Sequence, residues 1–265
     1  MKLPDKLSEG VELIRGDNLD ILFVGSIVTN AAQEIILLSL HRLARVQATY
    51  FASPATTGMR NMDYYISGTL TEGSESRSHY CEELVKIEGT GFCFNYELLP
   101  QESRMEFSRQ RLGIPEEATV FASGANMSKV IPEVRESWAK IIAAVPNGAL
   151  VLYPFGGGWS DNGSKTAFLN NMYARFEKYG VERRRLIVLN SLPGRAQVKE
   201  VLKLADVYLD SYPFSGANSL ADPLEVGVAT VAMEGRNLRS RQGAAMLREL
   251  GMFDLIAGGK KVTSS

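Results

Sequence analysis

Short apolar runs alternate with longer segments of helical periodicity along most of the chain. An apolar run of about five residues suits a buried strand, whereas apolar residues spaced three or four positions apart suit a helix packed on a sheet. Because the two patterns take turns, the sequence predicts the α/β class, with parallel sheets wrapped by helices.

The predicted elements fall into two groups. In the first group, one helix carries Leu38 and Leu43 after an N-cap at Thr29 or Asn30, and strands are predicted at 21–25, 46–52, 63–67 and 84–87. The polar segment 101–117 predicts a helix ending at Gly113 and a domain boundary near residue 115. Beyond it, strands are predicted at 119–122, 149–153, 186–189, 207–209 and 230–233, and helices at 131–145, 164–179, 196–205, 220–226 and 239–250. We therefore expect two domains, 1–115 and 116–265, the second Rossmann-like.

Charge and composition argue against several classes of function. Lys and Arg total 29 against 30 Asp and Glu, so a net charge of −1 offers no strong field for nucleic acid or an anionic membrane. Two histidines and two cysteines without CxxC spacing argue against a zinc cluster, and we expect no metal. No run reaches the roughly 18 apolar residues of a membrane span, and the polar start lacks a signal-peptide core. We expect a cytoplasmic protein.

Two glycine-containing segments follow predicted strands. Phe121–Lys129 lies between a strand and a helix, where open α/β sheets bind ligands, so Lys129 is placed to bind a diphosphate. A surface lysine in a loop explains the same pattern. The segment Phe155–Ser160 either brings backbone close to a ligand or forms a turn. Neither GxGxxG nor GxxxxGK[ST] occurs, so no dinucleotide fingerprint or Walker loop is supported.

The segment Asp210–Asp222 is the most informative stretch. It places small polar residues at a helix start, where N–H groups and the helix dipole favour phosphate, and Asp222 is suited to accept hydrogen bonds from ribose hydroxyls. A capped helix, with Asn218 or Ser219 as N-cap, is the alternative interpretation and is compatible with phosphate binding. His41 and His79 stand in no catalytic motif and suit structural roles.

Together these segments resemble the catalytic region of glycosyltransferase family 41, the O-linked N-acetylglucosamine transferase and SPINDLY family, over about residues 20–257. Family motifs recur in the same order in both halves. LAPVQ, PGTTG and YSExLV correspond to Leu43–Gln47, Ser53–Gly58 and Tyr80–Val85, and NQLYK, LADVxLD, NGHTT and ASRVAAS correspond to Ala125–Lys129, Leu204–Asp210, Ser215–Ser219 and Arg239–Ala245. Several forms lean toward the bacterial branch that contains cytoplasmic N-glucosyltransferases.

The resemblance implies a GT-B fold, two Rossmann-like domains facing a cleft, of which the first is incomplete here. It also implies inverting, metal-independent transfer from a UDP sugar, carrying glucose or N-acetylglucosamine, to a protein side chain. By position, Lys129 would neutralise the departing diphosphate. The donor would further contact Asn126, Leu192, Gln197, Gly216, Asn218, Ser219 and Asp222, and the first domain would line the cleft with Pro54, Ala55, Thr56 and Thr57.

The chain also departs from the family pattern. Gly194 and Gln197 stand where the family has a lysine and a histidine toward uridine, and Ala217 replaces the histidine of NGHTT. A histidine general base therefore cannot be carried over. One alternative is a noncatalytic or truncated nucleotide-sugar-binding or protein-interaction module of the same fold, and another is a transferase acting on a small glycan.

Overall fold

The computed structural model describes residues 3–25, 33–51, 54–94, 106–153, 162–190 and 192–258. The chain divides into two compact units: a first unit of Met1–Cys93 with Gly235–Gly251, and a second unit of Phe94–Glu234 with Met252–Ser265. Each unit is built around a parallel sheet, which confirms the predicted α/β class.

Strands and helices alternate in chain order in the second unit, whereas in the first unit three strands follow one another without an α-helix between them among the described residues. The strands are β1 (Ile21–Val24), β2 (Val46–Tyr50), β3 (Tyr64–Gly68), β4 (Glu83–Ile87), β5 (Val120–Ser123), β6 (Ala149–Leu152), β7 (Leu186–Val188), β8 (Val207–Leu209), β9 (Ala229–Glu234) and β10 (Ile256–Gly258). The helices are α1 (Leu7–Gly16), α2 (Gln33–Ser39), α3 (Pro132–Ala144), α4 (Asn162–Lys178), α5 (Arg195–Leu202), α6 (Asn218–Val226) and α7 (Gln242–Glu249). No helix in these described ranges has the length and apolar character that crossing a membrane requires.

The first unit has a sheet in the order β1-β2-β3-β4, with parallel neighbours. Right-handed crossovers between strands laid down in one direction fall on one side of the sheet, so among the described residues the connections cover one face. That face carries Val24 and Tyr65, which pack with the loop at Met59–Met62 and with Tyr80. The opposite face leaves apolar side chains exposed at Ile21, Phe23, Tyr64, Val85 and Ile87. The first unit thus holds one half of a doubly wound sheet.

The second unit has a sheet in the order β10-β9-β8-β5-β6-β7, again with parallel neighbours. Alternate strand residues enter two separate cores. On one face Phe121, Leu150 and Leu152 pack against α3 and α4. On the other, Val120, Ala149 and Val151 pack against α5 and the segment around Ile114. Both faces are covered, as the near-continuous apolar strands require.

Several element boundaries differ from the sequence-based predictions. The helix predicted to carry Leu43 ends at Ser39, because the chain turns there and the buried side chain of Gln47 accepts a hydrogen bond from the Leu43 N–H (2.5 Å). Leu43 is nevertheless buried, packed against Val11 of α1 and Leu38. The helix predicted up to Gly113 is wrong for residues 106–113, of which 106–108 are irregular and 109–113 form turns. Residues 101–105, Thr29 and Asn30 lie outside the described part.

Two further elements were missed or misplaced. α1 was not predicted, although Leu7, Val11 and Ile14 form an apolar stripe that packs on Leu38 and Leu43. The helix predicted from Arg239 begins at Gln242, after a short 3-10 helix at Leu238–Ser240. α7 packs in the first unit, where Glu249 accepts a hydrogen bond from the Thr90 N–H (3.1 Å).

Candidate functional site

The strand order of the second unit creates a topological switch point. The chain lays down β5, β6 and β7 in one direction and then returns, placing β8 on the other side of β5. At such a point the connections leaving neighbouring strands diverge, and the crevice beyond their carboxyl ends is where open α/β sheets bind ligands. The loop carrying Lys129 follows β5, and Asp210 follows β8 directly. The structure therefore brings these two predicted segments to one place.

Lys129 is half-buried, and its ammonium group lies against the segment that leads into α6. Its Nζ donates a hydrogen bond to the Ser215 carbonyl (3.4 Å) and lies 3.9 Å from the centre of the Phe214 ring. Burial lowers the pKa of Lys129, and the charge of Asp210 opposes this effect. The sequence analysis identified the lysine, whereas its contacts with Phe214 and Ser215 depend on the adjacency of β5 and β8.

Asp210 was not selected from the sequence, although it ends the Leu204–Asp210 motif. Its carboxylate accepts hydrogen bonds from the backbone N–H groups of Ser211 and Gly216 (2.8 Å each) and from the Ser215 hydroxyl. Burial raises the pKa of Asp210 to about 6, against the opposing effects of these hydrogen bonds and of Lys129. Asp210 thus fixes the loop before α6 and adds a negative charge beside Lys129.

Gly216 lets this loop approach the first turn of α6. A Cβ at this position would lie 2.5 Å from the Ser219 Oγ and 3.0 Å from the Leu220 Cγ. The predicted side-chain cap is wrong: Ala217 is the N-cap residue and no side chain caps the helix, while Asn218 and Ser219 are exposed in the first turn. Asn218 and Ser219 are thus exposed at the end of α6 where a helix has N–H groups without intrahelical partners, the arrangement that favours anion binding.

Asn126 orders the loop that precedes Lys129. Its Oδ1 accepts hydrogen bonds from the Ser128 N–H (3.0 Å) and the Ser128 hydroxyl (2.9 Å), and its carbonyl accepts one from the Lys129 N–H (2.8 Å). The side-chain oxygen is thereby used within the loop. A contact from Asn126 to a phosphate would come from the amide NH₂ group.

Asp222 lies one turn into α6 and is almost fully buried. Arg195, the first residue of α5, donates to its Oδ1 from Nε (2.7 Å) and also places Nη2 2.6 Å from the same oxygen. Burial raises the pKa of Asp222, and the hydrogen bond and charge of Arg195 oppose that effect. Arg195 was not selected from the sequence, since a cation at a helix start has no motif that marks it.

Leu192 and Gln197 lie at the entry to α5. Leu192 packs on the core that contains Val151 and Val201, so its side chain has a structural role at this edge. Gln197 is half-buried in the first turn of α5, and its Oε1 is 3.4 Å from the position of a Cβ built on Gly194. The structure therefore places both residues at the same end of the sheet as Asp222, to which α5 is tied through Arg195.

The four candidates of the first unit form a separate cluster. Pro54, Ala55, Thr56 and Thr57 are half-buried and follow β2. Glu82, which is 1% exposed, accepts hydrogen bonds from the Thr56 hydroxyl (2.7 Å), the Thr57 N–H (2.7 Å) and the Thr57 hydroxyl. Sequence reasoning missed Glu82, although it stands in the Tyr80–Val85 motif. Its carboxylate fixes the shape of this loop.

Metal-ligand clusters, the glycine-rich segment and the two histidines are the remaining features that the sequence analysis considered for function. Within the part of the chain that the structure describes, no three His, Cys, Asp or Glu side chains gather as a metal site would require. The glycine-rich segment Phe155–Ser160 lies outside the described residues. Both histidines belong to the first unit, where His79 ends a short 3-10 helix and is exposed.

Comparisons with known proteins show which proteins this chain resembles. The SPINDLY protein of Arabidopsis thaliana, a probable UDP-N-acetylglucosamine–peptide N-acetylglucosaminyltransferase, is 27% identical over 247 residues, which cover 92% of this chain and 25% of that protein. The chain thus spans about a quarter of the length of such curated relatives.

Solved structures of glycosyltransferases are similar to this chain in fold. A mutant of the Thermobaculum terrenum O-GlcNAc transferase superposes with a TM-score of 0.78 and 28% identity, over 95% of this chain and 45% of that one. A sucrose-phosphate synthase from Thermosynechococcus elongatus superposes at 0.53 with 12% identity, over 94% of this chain and 70% of that one, which shows the GT-B fold alone. The sequence profile of glycosyl transferase family 41 matches residues 95–263. The chain therefore belongs to glycosyl transferase family 41.

Proposed function

We propose that this chain supplies the donor site of a glycosyltransferase that moves a sugar from a UDP sugar to a protein side chain. Its family membership and the names of its relatives, which specify UDP-N-acetylglucosamine and a peptide acceptor, support this proposal. N-acetylglucosamine is accordingly the first sugar to test, and glucose is the alternative.

The observation that carries the proposal is the position of the Lys129 ammonium group. It lies 3.4 Å from the Ser215 carbonyl, beside the loop that opens α6, at the switch point of the sheet. A cation and a helix N-terminus directed at one place form a site suited to a diphosphate. In this assignment Asn126, Gly216, Asn218 and Ser219 contact phosphate oxygens, Asp222 binds the ribose, and Leu192 and Gln197 lie toward the base.

The proposed reaction is a single displacement with inversion at the sugar. A nucleophilic atom of the acceptor side chain forms a bond to C1, and the bond from C1 to the diphosphate oxygen breaks with its electron pair passing to UDP. The proton of the acceptor passes to solvent water. Lys129 stabilises the negative charge that develops on the leaving diphosphate, which is the kind of electrostatic effect that dominates many enzymatic group transfers. Because Lys129 and α6 supply this positive charge, the proposal includes no metal ion.

A role for the loop at 54–57 of the first unit is proposed only from the resemblance to the family. Pro54, Ala55, Thr56 and Thr57 would contact the sugar or the acceptor, with the loop held by Glu82. Its fixed hydrogen bonds are consistent with a binding loop whose shape is set before the ligand arrives.

Calorimetry with UDP, UDP-N-acetylglucosamine, UDP-glucose and GDP tests the donor site. We expect saturable binding of the uridine ligands, weakened at least 10-fold by Lys129→Met because the diphosphate loses its cation. Lys140→Met is the matched control, since Lys140 is exposed on α3. Absence of UDP binding by the folded wild type, or equal effects of the two substitutions, would refute this site.

A turnover assay on the same samples tests the chemistry. Hydrolysis or transfer of the sugar should persist in EDTA and fall roughly 100- to 1,000-fold in Lys129→Met, the range seen when one charge-stabilising group is removed. Binding without turnover would favour the noncatalytic module instead. Loss of turnover in EDTA would contradict the metal-independent mechanism.

A further inference from the structure

A network of ion pairs joins the first two turns of α5 to the side of α6. Arg195 contacts Asp222 through Nε and Nη2, and its Nη2 also donates to the Glu225 Oε2 (2.9 Å). Lys199, one turn further along α5, donates to the Glu225 Oε1 (2.5 Å). Asp222 and Glu225 are three residues apart on α6, so both carboxylates face α5. Of the two carboxylates in the network, that of Asp222 is buried and that of Glu225 is exposed.

The buried member, Asp222, is held asymmetrically. Its side chain is 11% exposed, against 39% for Glu225. Both contacts from Arg195 go to Oδ1, and among the described residues no hydrogen bond to Oδ2 is found. A buried carboxylate is costly unless a cation compensates it, so the guanidinium of Arg195 is what keeps Asp222 ionised and oriented. The second oxygen is left for another donor.

We propose that Arg195 is a positioning residue for the nucleotide: by engaging Oδ1 of Asp222 it presents Oδ2 to the ribose hydroxyls of the donor. This inference rests on the proposed function, which assigns the ribose to Asp222. The exposed pair between Lys199 and Glu225 fastens the same two helices but does not touch Asp222. Substituting Arg195 therefore tests the positioning of Asp222, whereas substituting Lys199 tests only the link between the two helices.

The charged and titratable groups around Asp222 set the pH dependence of this arrangement. Arg195 and Lys199 favour its ionised form, whereas burial and Glu225 favour its neutral form. On the sheet side lie Tyr153 and Tyr208, whose pKa values are raised by burial and, in smaller part, by the charge of Asp222. Removing Arg195 takes away the main opposition to burial, so the pKa of Asp222 should rise.

The test compares the affinities of UDP and 2′,3′-dideoxy-UDP by calorimetry at pH 7.5. Both ligands carry the same diphosphate, so their ratio isolates the ribose hydroxyls. We expect the wild type to prefer UDP about 10- to 100-fold, the range for hydrogen bonds to a charged group. Arg195→Ala should reduce the ratio to below about 3-fold, whereas Lys199→Ala should retain it. Arg195→Lys should restore part of the ratio, because it keeps the charge.

The pH profile provides a second readout. As the pH is lowered, Asp222 takes up a proton and the preference for UDP is lost. This loss should begin at a higher pH in Arg195→Ala than in the wild type, because Arg195 lowers the pKa of Asp222. Circular dichroism and melting temperature establish that each variant is folded, and Arg195→Gln serves if Arg195→Ala is not. If Arg195→Ala and Lys199→Ala lower the melting temperature alike and both keep the wild-type ratio, Arg195 is only a structural link and the inference is overturned. If the wild type binds neither nucleotide, the proposed function fails first.

Discussion

At the scale of single residues, Asp210 is where burial and charge oppose each other most directly. Its pKa of about 6 lies above the ordinary value of 3.8, because burial outweighs three hydrogen bonds and the neighbouring Lys129. The unfolded chain therefore releases this proton at lower pH than the folded one. Between about pH 4 and pH 6 the folded state binds more protons at this position, so ionisation of Asp210 reduces stability as the pH rises.

Asp210→Asn tests this linkage. The variant cannot ionise, so the difference in unfolding free energy, wild type minus variant, should fall as the pH rises from 4 to 7, by up to about 3 kcal/mol for a pKa difference of this size. Urea unfolding at pH 4, 5, 6 and 7 measures it. Asp206→Asn is a control at the other end of β8, where the exposed Asp206 is paired with the half-buried Arg109. A difference that is constant with pH would show that Asp210 ionises normally in the folded protein.

At the same scale, the sequence analysis selected some candidate residues and passed over others. Lys129, Asn218 and Asp222 were identified because their residue types follow predicted strands in a recognisable order. Glu82 and Arg195 were missed because each acts on a partner distant in sequence: Glu82 binds Thr56 and Thr57, and Arg195 binds Asp222. Asp210 was missed although its hydrogen-bond partners, Ser211, Ser215 and Gly216, are close in sequence. Hydrogen bonds between loops or between helix ends leave no periodic signal along one chain.

At the scale of elements, alternate side chains of β1 show how differently the two faces of the first sheet are covered. Val24 is 8% exposed and packs on Met59 and Met62, whereas Ile21 is 64% exposed on the opposite face. The strand pattern alone indicates a strand buried on both faces, because isoleucine and phenylalanine alternate with leucine and valine. The one-sided covering follows from the strand order, which puts the crossovers on a single side.

Matched substitutions on β1 test this covering. Val24→Thr keeps a β-branched shape but buries a hydroxyl, so we expect it to cost about 1–3 kcal/mol of unfolding free energy. Ile21→Thr places the same side chain on the exposed face and should change stability by less than about 0.5 kcal/mol. Chemical denaturation of both variants provides the comparison. Equal losses would mean that the exposed face is covered in solution.

At the scale of the whole molecule, the two units differ in their relation to the nucleotide. All residues assigned here to the diphosphate and ribose belong to the second unit, and its sheet contains the switch point. The first unit gains α7 from a distant part of the chain, fastened through Glu249 and Thr90. Binding of UDP should therefore stabilise one unit selectively.

Hydrogen exchange tests this selectivity. With UDP at 100 times its dissociation constant, amides of the second unit that exchange through opening of the site should slow by up to about 100-fold, or about 2.7 kcal/mol. We expect the effect at 123–129 and 210–226 and no change in β1 to β4. Lys129→Met measured at the same UDP concentration is the control, and a 10-fold weaker affinity should reduce the slowing to about 10-fold. Protection of β1 to β4 equal to that of the second unit would contradict the prediction.

The sequence by itself determined the α/β class, most strands of both sheets, the family and the polar loop residues, because these depend on local periodicity and on motifs read along one chain. The ends of helices were predicted less accurately. Leu43 has an apolar side chain at helical spacing, yet it lies after the end of α2, where Gln47 accepts a hydrogen bond from its N–H. Tertiary structure decided which strands are neighbours. Since β8 lies beside β5, Lys129 meets Ser215 across 86 positions of sequence, and since α5 packs on α6, Arg195 meets Asp222. Such contacts arise from the closing of the sheet and the docking of helices on it, and no local pattern encodes them.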